Sequence, residues 1–114
     1  MIPELRIVEE LDRELFFIEG ELTTENAVDF ESRLSALHVD AGSAITLDMT
    51  ALDIEDGVAL TTAINAIRGL RAGGARIVLK GAPQMLGHNL YRIGLLEGRN
   101  PIELVDLRAD EPYV

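Results

Sequence analysis

The segment that decides the fold class is AITLDMTALDIEDGVALTTAINAIRGLRAGGARIVLK, residues 44–80. It opens with the short apolar run Ala44–Asp48 and closes with the similar run Arg76–Lys80, both typical of buried strands. Between them, residues 56–71 place apolar side chains at steps of three and four, which predicts a helix that the Gly73-Gly74 pair ends. A strand, a helix and a strand at this spacing predict two parallel strands joined by a right-handed crossover.

Two strands and a helix are predicted before this segment. Leu5–Glu9 and Leu15–Leu22 read as strands, and the short link between them favours an antiparallel hairpin. Gly20 inside the second strand predicts a bulge or a close approach of another chain segment. Thr23–Glu25 predicts a helix start, with a threonine as the amino-terminal cap. The inward face of that helix is predicted to consist of Ala27, Phe30, Leu34 and Leu37.

A third helix and a last strand are predicted after the segment. Pro83 suits the start of a helix and Gly94 suits its end, while Ile102–Leu107 reads as a strand. The inward residues of this helix are predicted to be Met85, Leu86, Leu90 and Ile93. The predicted order is therefore β-β-α-β-α-β-α-β, an α/β fold with helices packed on a mixed β-sheet. With 114 residues, 47% of them hydrophobic, the chain is expected to form one domain over residues 1–114.

The composition argues against several classes of partner. Twenty acidic residues against ten Lys and Arg give a formal net charge of −10, which disfavours nucleic acid and anionic membrane surfaces. The chain has no cysteine, so thiol catalysis and cysteine-based metal sites are excluded. No stretch approaches the roughly 18 apolar residues of a membrane span, and the mixed, acidic beginning lacks the pattern of a secretory signal. We expect a cytoplasmic protein that does not insert into a membrane.

Four carboxylates crowd the predicted turn before the second helix: Asp48, Asp53, Glu55 and Asp56. The carboxyl ends of parallel strands are where α/β proteins place their sites, so a metal or phosphoryl-transfer site is one interpretation. Asp48 with Lys80 faintly resembles a receiver domain, but that family begins β-α-β rather than with a hairpin. We favour a structural interpretation, in which Asp53, Glu55 and Asp56 complement the positive end of the helix and Asp48 accepts hydrogen bonds from loop amides.

The residues that most enzymes and metal sites need are not arranged as such sites require. His38 is expected at the end of the first helix, and His88 lies mid-helix with no acidic or histidine partner at a ligand spacing. The serines lack a nucleophile-elbow pattern, and the glycines make neither a P-loop nor a dinucleotide fingerprint. We therefore expect no enzyme activity, no metal and no cofactor.

The outward face of the second helix is unusual for a protein in which 26% of residues are charged. With the apolar stripe inward, a single charge remains among the outward residues Thr61, Thr62, Asn65, Arg68, Gly69 and Ala72. The centres of protein interfaces are depleted in charge, so this face has the composition of a docking surface. The alternatives are a helix covered by the acidic carboxyl-terminal tail and simple sequence drift.

The order of elements and the sequence of residues 45–95 together resemble the STAS domain, named for sulfate transporters and anti-sigma factor antagonists. The segments that carry the resemblance are ITLDMTALDIEDGVAL, LRAGGARIVLKGAP and LYRIGLL. In that family a strand ends in Asp and an Asp-Ser-Ser-Gly loop opens a helix. A Gly-Gly turn, an apolar strand, a Pro-bearing loop and a helix ending in Gly-Leu follow. Asp48, Asp56, Gly74, residues 77–79, Pro83 and Gly94-Leu95 fall into this order without gaps.

One departure concerns the loop that opens the second helix. Aligned on Asp56, the family's two serines fall on Gly57 and Val58, and its Gly falls on Ala59. With Gly57 aligned as the family's Gly, the switch positions become Glu55 and Asp56. Neither alignment leaves a hydroxyl, so the phosphorylation switch of the family's anti-sigma antagonists does not carry over.

The resemblance implies a non-enzymatic regulatory protein-interaction domain, similar to a bacterial anti-sigma factor antagonist in a partner-switching pathway that regulates transcription. The implied partner is an anti-sigma factor or a GHKL-type kinase-like protein. The alternatives are a STAS subunit of a lipid-trafficking ABC transporter and a small-ligand or nucleotide sensor that uses the acid-rich loop. The face of the second helix and the family's contact loop together predict the partner-binding residues Asp56, Gly57, Val58, Thr61, Thr62 and Asn65.

Overall fold

The computed structural model describes residues 5–9, 15–37 and 42–108. In chain order the elements are β1 (Arg6–Glu9), β2 (Leu15–Leu22), α1 (Ala27–Ser35), β3 (Ala44–Asp48), β4 (Leu52–Ile54), α2 (Gly57–Ala72), β5 (Arg76–Lys80), α3 (Gln84–Arg92) and β6 (Glu103–Val105). The predicted α/β fold is confirmed. The link at residues 10–14, His38 and the acidic tail at residues 109–114 lie outside the described residues.

The strands form one mixed sheet in the order β1-β2-β3-β5-β6, with β4 also paired to β2. β1 runs antiparallel to β2, and every other pair is parallel. The central pair joins β3 to β5 in register from Ala44 opposite Arg76 to Asp48 opposite Lys80. The two strands predicted to be parallel neighbours are therefore neighbours, with α2 as their crossover.

The predicted order missed β4, which lies in what the sequence suggested was a plain link before α2. β2 is long enough to pair twice, with β3 through Phe17 and with β4 from Gly20 onward. Gly20 has a φ of +107° and its N–H donates to the carbonyl of Ala51 at 3.0 Å, so the predicted close approach is present. The observed order is thus β-β-α-β-β-α-β-α-β. The sequence did not predict β4 because a strand of three residues is too short to show a hydrophobic periodicity.

The two faces of the sheet differ in burial. One face contributes the buried side chains Phe16, Ile18, Ile45, Leu47, Ile77 and Leu79, which form one core with the inward residues of all three helices. On the opposite face Leu15, Phe17, Thr46 and Val78 are half-buried and do not belong to that core. The helices therefore pack on one side of the sheet, which confirms the predicted packing of helices on a mixed sheet.

The first helix begins later than the sequence predicts. α1 starts at Ala27 with Asn26 as its cap residue, whereas Thr23–Glu25 was the predicted start. Thr23 and Asn26 bond reciprocally, with Thr23 N–H donating to Asn26 Oδ1 at 2.8 Å and Asn26 N–H donating to Thr23 Oγ1 at 3.3 Å. These two bonds close a turn ahead of the helix, so the polar side chains stabilise the turn rather than the first helical amides.

Two of the four residues predicted to face inward from the third helix are exposed instead. Leu86 and Leu90 are fully buried, but Met85 and Ile93 are exposed, at 48% and 50%. Gly87 is buried instead, since a β-carbon there would lie only 2.9 Å from Cδ1 of Leu107 and 3.2 Å from Cδ1 of Leu104. Pro83 is the cap residue, and Ile93 follows the last helical turn.

A candidate partner-docking site at the start of α2

The start of α2 is fixed by the side chain of Asp56. Asp56 has an extended backbone, with φ −153°, and its Oδ1 accepts a hydrogen bond from the N–H of Ala59 at 2.9 Å. An aspartate at this position satisfies one of the amides that the first turn leaves without a helical partner and places negative charge at the positive end of the helix. The predicted capping role of Asp56 is confirmed, and α2 begins one residue later, at Gly57.

A second hydrogen bond joins this cap to the segment before α1. The hydroxyl of Thr24 donates to Oδ2 of Asp56 at 2.7 Å, so each carboxylate oxygen accepts one of these bonds. The bond places the turn that precedes α1 directly beside the start of α2. Sequence reasoning did not place Thr24 at this site, because no local pattern connects residues 32 positions apart.

These contacts set the charge of Asp56. The N–H of Ala59, and next the hydroxyl of Thr24, favour the ionised carboxylate and hold its pKa below the usual value. Burial opposes them with a smaller effect, and the N–H of Val58 adds the smallest lowering of the pKa. Asp56 is therefore a fixed negative charge at neutral pH, at the edge of the site.

The six predicted partner-binding residues form one accessible surface, here called the α2 face: Asp56, Gly57, Val58, Thr61, Thr62 and Asn65. All of them are exposed except Thr62, which is half-buried. Val58 is the large apolar residue of this face, with 58% of its surface accessible. The hydroxyls of Thr61 and Thr62 donate to the carbonyls four residues earlier, of Gly57 and Val58, at 2.9 and 3.0 Å. The α2 face thus combines an accessible valine with hydroxyls already bonded to their own helix.

The other acids of the loop do not converge with Asp56. Asp48 Oδ1 accepts a hydrogen bond from the N–H of Thr50 at 3.0 Å, as predicted for an acid that binds loop amides. Asp53 forms an ion pair with Arg108 at 3.6 Å rather than complementing the helix, and Glu55 is exposed. Within residues 5–9, 15–37 and 42–108, no three His, Asp or Glu side chains are grouped to hold a metal ion.

Arg108 organises the strand ends beneath the site, a role that the sequence did not reveal. Its guanidinium donates to the carbonyl of Gly81 at 2.9 Å and to that of Met49 at 2.7 Å, and also to the carbonyl of Leu52. Its N–H donates to the carbonyl of Ala82 at 3.2 Å. The side chain therefore ties the turn between β3 and β4 to the loop after β5, and so supports the segment that leads into Asp56.

A cleft of about 1030 Å³ opens elsewhere, at the amino ends of three neighbouring strands. Ala44, Arg76 and Glu103, the first residues of β3, β5 and β6, line it. The acid-rich loop follows the carboxyl end of β3, so this cleft and that loop lie at opposite ends of the strands.

Comparison with known proteins places the chain in a family. Residues 4–104 match the STAS domain. The chain is a member of the STAS domain family. None of the described helices in this STAS domain is long and apolar enough to cross a membrane.

Solved structures of three other proteins share the fold at low sequence identity. An anti-sigma-factor antagonist STAS domain from Rhodobacter sphaeroides is 17% identical over 68% of this chain and 85% of its own, with a TM-score of 0.53. A sulfate transporter family protein from Wolinella succinogenes is 20% identical over 88% and 81%, with a TM-score of 0.57. A Thermotoga maritima protein assigned as an anti-sigma factor antagonist is 18% identical over 95% and 89%, with a TM-score of 0.55. No curated protein sequence matches this STAS domain.

Proposed function

We propose that this STAS domain is a non-enzymatic regulatory module, comprising residues 1–114 as one domain, that binds a protein partner in the bacterial cytoplasm. Its role is that of an anti-sigma factor antagonist in a partner-switching pathway controlling transcription. The partner is an anti-sigma factor or a related protein with a GHKL-type ATP-binding domain. Family membership and the structural likeness to two anti-sigma factor antagonists support this proposal.

The observation that carries the proposal is the character of the α2 face. It is accessible, it presents Val58, and it has one ionised side chain, Asp56, at its edge in a chain with a formal net charge of −10. Interface centres are poor in charge and rich in contacts that exclude water, whereas the surrounding acids favour a partner with a basic rim and raise the association rate. The partner docks over the first half of α2, where Gly57 leaves room for a close approach.

The first experiment captures the partner from lysate of the native bacterium with the tagged full chain and identifies it by mass spectrometry. A protein with a GHKL-type ATP-binding domain supports the proposal. Co-purification of an ABC transporter ATPase would instead support the alternative function, a STAS subunit of a lipid-trafficking ABC transporter. A ligand-induced rise in melting temperature without any protein partner would support a sensor.

The second experiment measures the affinity of the captured partner for surface variants. Asn65→Arg and Thr62→Arg each bring an unmatched charge into the contact, and we expect binding to weaken by about 2 kcal/mol or more. The matched control is Ser32→Arg on the exposed face of α1. Asn65→Arg is a solvent-facing change, so the free energy of unfolding should move by only about 0.5 kcal/mol. Full-strength binding by both α2 variants would place the interface on the hairpin edge or on α1.

A further inference from the structure

Exposed apolar side chains concentrate around α3, away from the α2 face. Six large apolar residues are exposed in the described part of the chain, and four of them belong to α3, its cap or the segment packed on it: Met85, Tyr91, Ile93 and Leu107. Single exposed apolar residues are ordinary on protein surfaces, but a group on one helix marks a contact surface.

Two of these residues border a cleft of about 370 Å³ between α3 and the chain around β6. Tyr91 and His88 belong to its α3 wall, and the wall on the β6 side consists of Leu96, Leu104 and Leu107. No Asp, Glu, Lys or Arg lines the cleft. Its size and its apolar wall suit a side chain from a ligand or a partner.

The outer edge of β6 adjoins this cleft. β6 is an edge strand of the sheet, and no strand among the described residues pairs with its outer side. On the inner side, the carbonyl of Val105 accepts a hydrogen bond from the N–H of Gly81 at 2.9 Å. Backbone groups of successive residues point to alternate sides of a strand, so the N–H and carbonyl of Leu104 face the outer side. A free edge of this kind is a template for another extended segment.

The β6 wall of the cleft has an acidic rim. Each of its three leucines has an acid next to it in the sequence: Glu97, Glu103 and Asp106. All three acids are exposed. Within residues 5–9, 15–37 and 42–108, none of their side chains makes a hydrogen bond or an ion pair. The rim is therefore negative and is not neutralised by the described part of the chain.

The nearby cations do not reverse this charge. Arg92 lies on α3 but does not line the cleft. The guanidinium of Arg108 is turned to the carbonyls at the strand ends and pairs with Asp53 at 3.6 Å. Arg99 precedes β6, and its carbonyl accepts a hydrogen bond from Arg71 near the end of α2. The charge beside the cleft is negative on balance, which favours a cationic occupant.

We propose that an extended basic segment of a second protein partner adds to the outer edge of β6. Its backbone bonds to the N–H and carbonyl of Leu104, and an apolar side chain enters the cleft between Tyr91 and Leu107. Flanking Lys or Arg side chains of the segment pair with Glu103 and Asp106. A second copy of this chain would bring the same acidic edge, and an anionic membrane would also be repelled. This contact is separate from the α2 face, so the domain would bridge two proteins.

The test begins with a selection of random twelve-residue peptides displayed on phage against the immobilised chain. We expect the enriched peptides to carry Lys or Arg on either side of an aromatic or aliphatic residue. Synthetic copies of those peptides should bind Tyr91→Ala and Glu103→Lys at least about tenfold more weakly than the native chain. A saturating peptide should also slow exchange of the amide hydrogen of Leu104 in the native chain at least about tenfold, because that N–H becomes bonded.

The matched control is Glu31→Lys, which makes the same change of charge on the exposed face of α1. α1 connects β2 to β3, away from the β6 edge, so this variant should bind the peptides as the native chain does. Glu31→Lys and Glu103→Lys have equal net charge, so a difference between them reports the local contact rather than the overall field. Tyr91 and Glu103 are exposed, and their variants should melt within about 4 °C of the native chain.

Several results would overturn the proposal. Enriched peptides without Lys or Arg, no enrichment, or equal binding by Glu31→Lys and Glu103→Lys would each remove the basic partner. An unchanged exchange rate of the Leu104 amide under saturating peptide would remove the added strand. Sedimentation that shows a dimer in the native chain and a monomer in Tyr91→Ala would assign the cleft to a second copy.

Discussion

The hydroxyl of Thr24 lies 2.7 Å from Oδ2 of Asp56 and donates a hydrogen bond to it. One carboxylate thus caps α2 through its Oδ1 and accepts a bond from the segment before α1 through its Oδ2. Because the two oxygens are bonded to different parts of the chain, the start of α2 is held by a tertiary contact as well as by local capping. The orientation of the α2 face depends on both.

The first prediction concerns the charge of Asp56. Its pKa is lowered in the folded state, so its contribution to stability is fully present above about pH 5 and is lost as the pH falls through the lowered pKa. Asp56→Asn keeps an oxygen for the N–H of Ala59 but cannot ionise. Its melting temperature should fall below that of the native chain by a fixed amount above about pH 5, and this difference should shrink toward pH 2.

Two related variants serve as controls in the same pH series. Asp56→Ala removes the cap altogether and should melt below Asp56→Asn at neutral pH. Thr24→Val removes one donor to the carboxylate, so its difference from the native chain should also shrink on acidification. A difference between the native chain and Asp56→Asn that is independent of pH would contradict the lowered pKa.

The second prediction compares two glycines. Gly69 lies on the exposed side of α2, and a β-carbon there would meet no atom within 4 Å. Gly69→Ala should therefore raise the free energy of unfolding by about 0.5–1 kcal/mol through helix propensity. Gly81 has a φ of +65°, and a β-carbon would collide with the hydroxyl of Thr50 and lie 3.1 Å from its Cα. Gly81→Ala should lower the free energy of unfolding by about 2 kcal/mol. Urea denaturation should show that the free energy of unfolding rises in Gly69→Ala and falls in Gly81→Ala.

The third prediction separates the two kinds of contact that Arg108 makes. Arg108→Met leaves the carbonyls of Met49, Leu52 and Gly81 without their guanidinium donor and should cost about 2 kcal/mol or more. Asp53→Asn removes only the ion pair, whose carboxylate is 74% exposed, and should cost less than about 1 kcal/mol. If urea denaturation showed the same loss in the free energy of unfolding for Arg108→Met and Asp53→Asn, the ion pair rather than the carbonyl contacts would stabilise the strand ends.

The fourth prediction is that the loop at residues 55–59 carries no phosphorylation switch. No hydroxyl is present there to accept a phosphoryl group, and the hydroxyls of Thr61 and Thr62 are bonded to helix carbonyls. After incubation with the captured kinase-like partner and ATP, mass spectrometry should find no phosphate on this segment of the protein. A stoichiometric phosphate on the loop, on Thr61 or on Thr62 would show the prediction to be wrong.

Elements whose signals lie within a few neighbouring residues could be predicted from the sequence. The bounds of β3 and β5 agree with the predicted strands, and α2 is displaced by one residue from its predicted range. Its buried stripe, with Leu60, Ile64 and Ile67, follows directly from helical spacing. The capping role of Asp56 was also visible, because a cap bonds an amide only three residues away. Accessibility of the α2 face followed from the same periodicity, since fixing the inward stripe fixes the outward one.

Tertiary packing decided what the local pattern leaves open. Met85 and Ile93 have helical spacing from the core positions of α3, yet Leu107 packs against Gly87 and the helix turns those two side chains to the surface. Thr24 and Asp56 are 32 residues apart, and Arg108 bonds Met49 across 59 residues. Periodicity reports only on residues three or four apart on a helix or two apart on a strand. Contacts between residues this far apart form only when the helices pack on the sheet, and that packing depends on side chains from the whole chain.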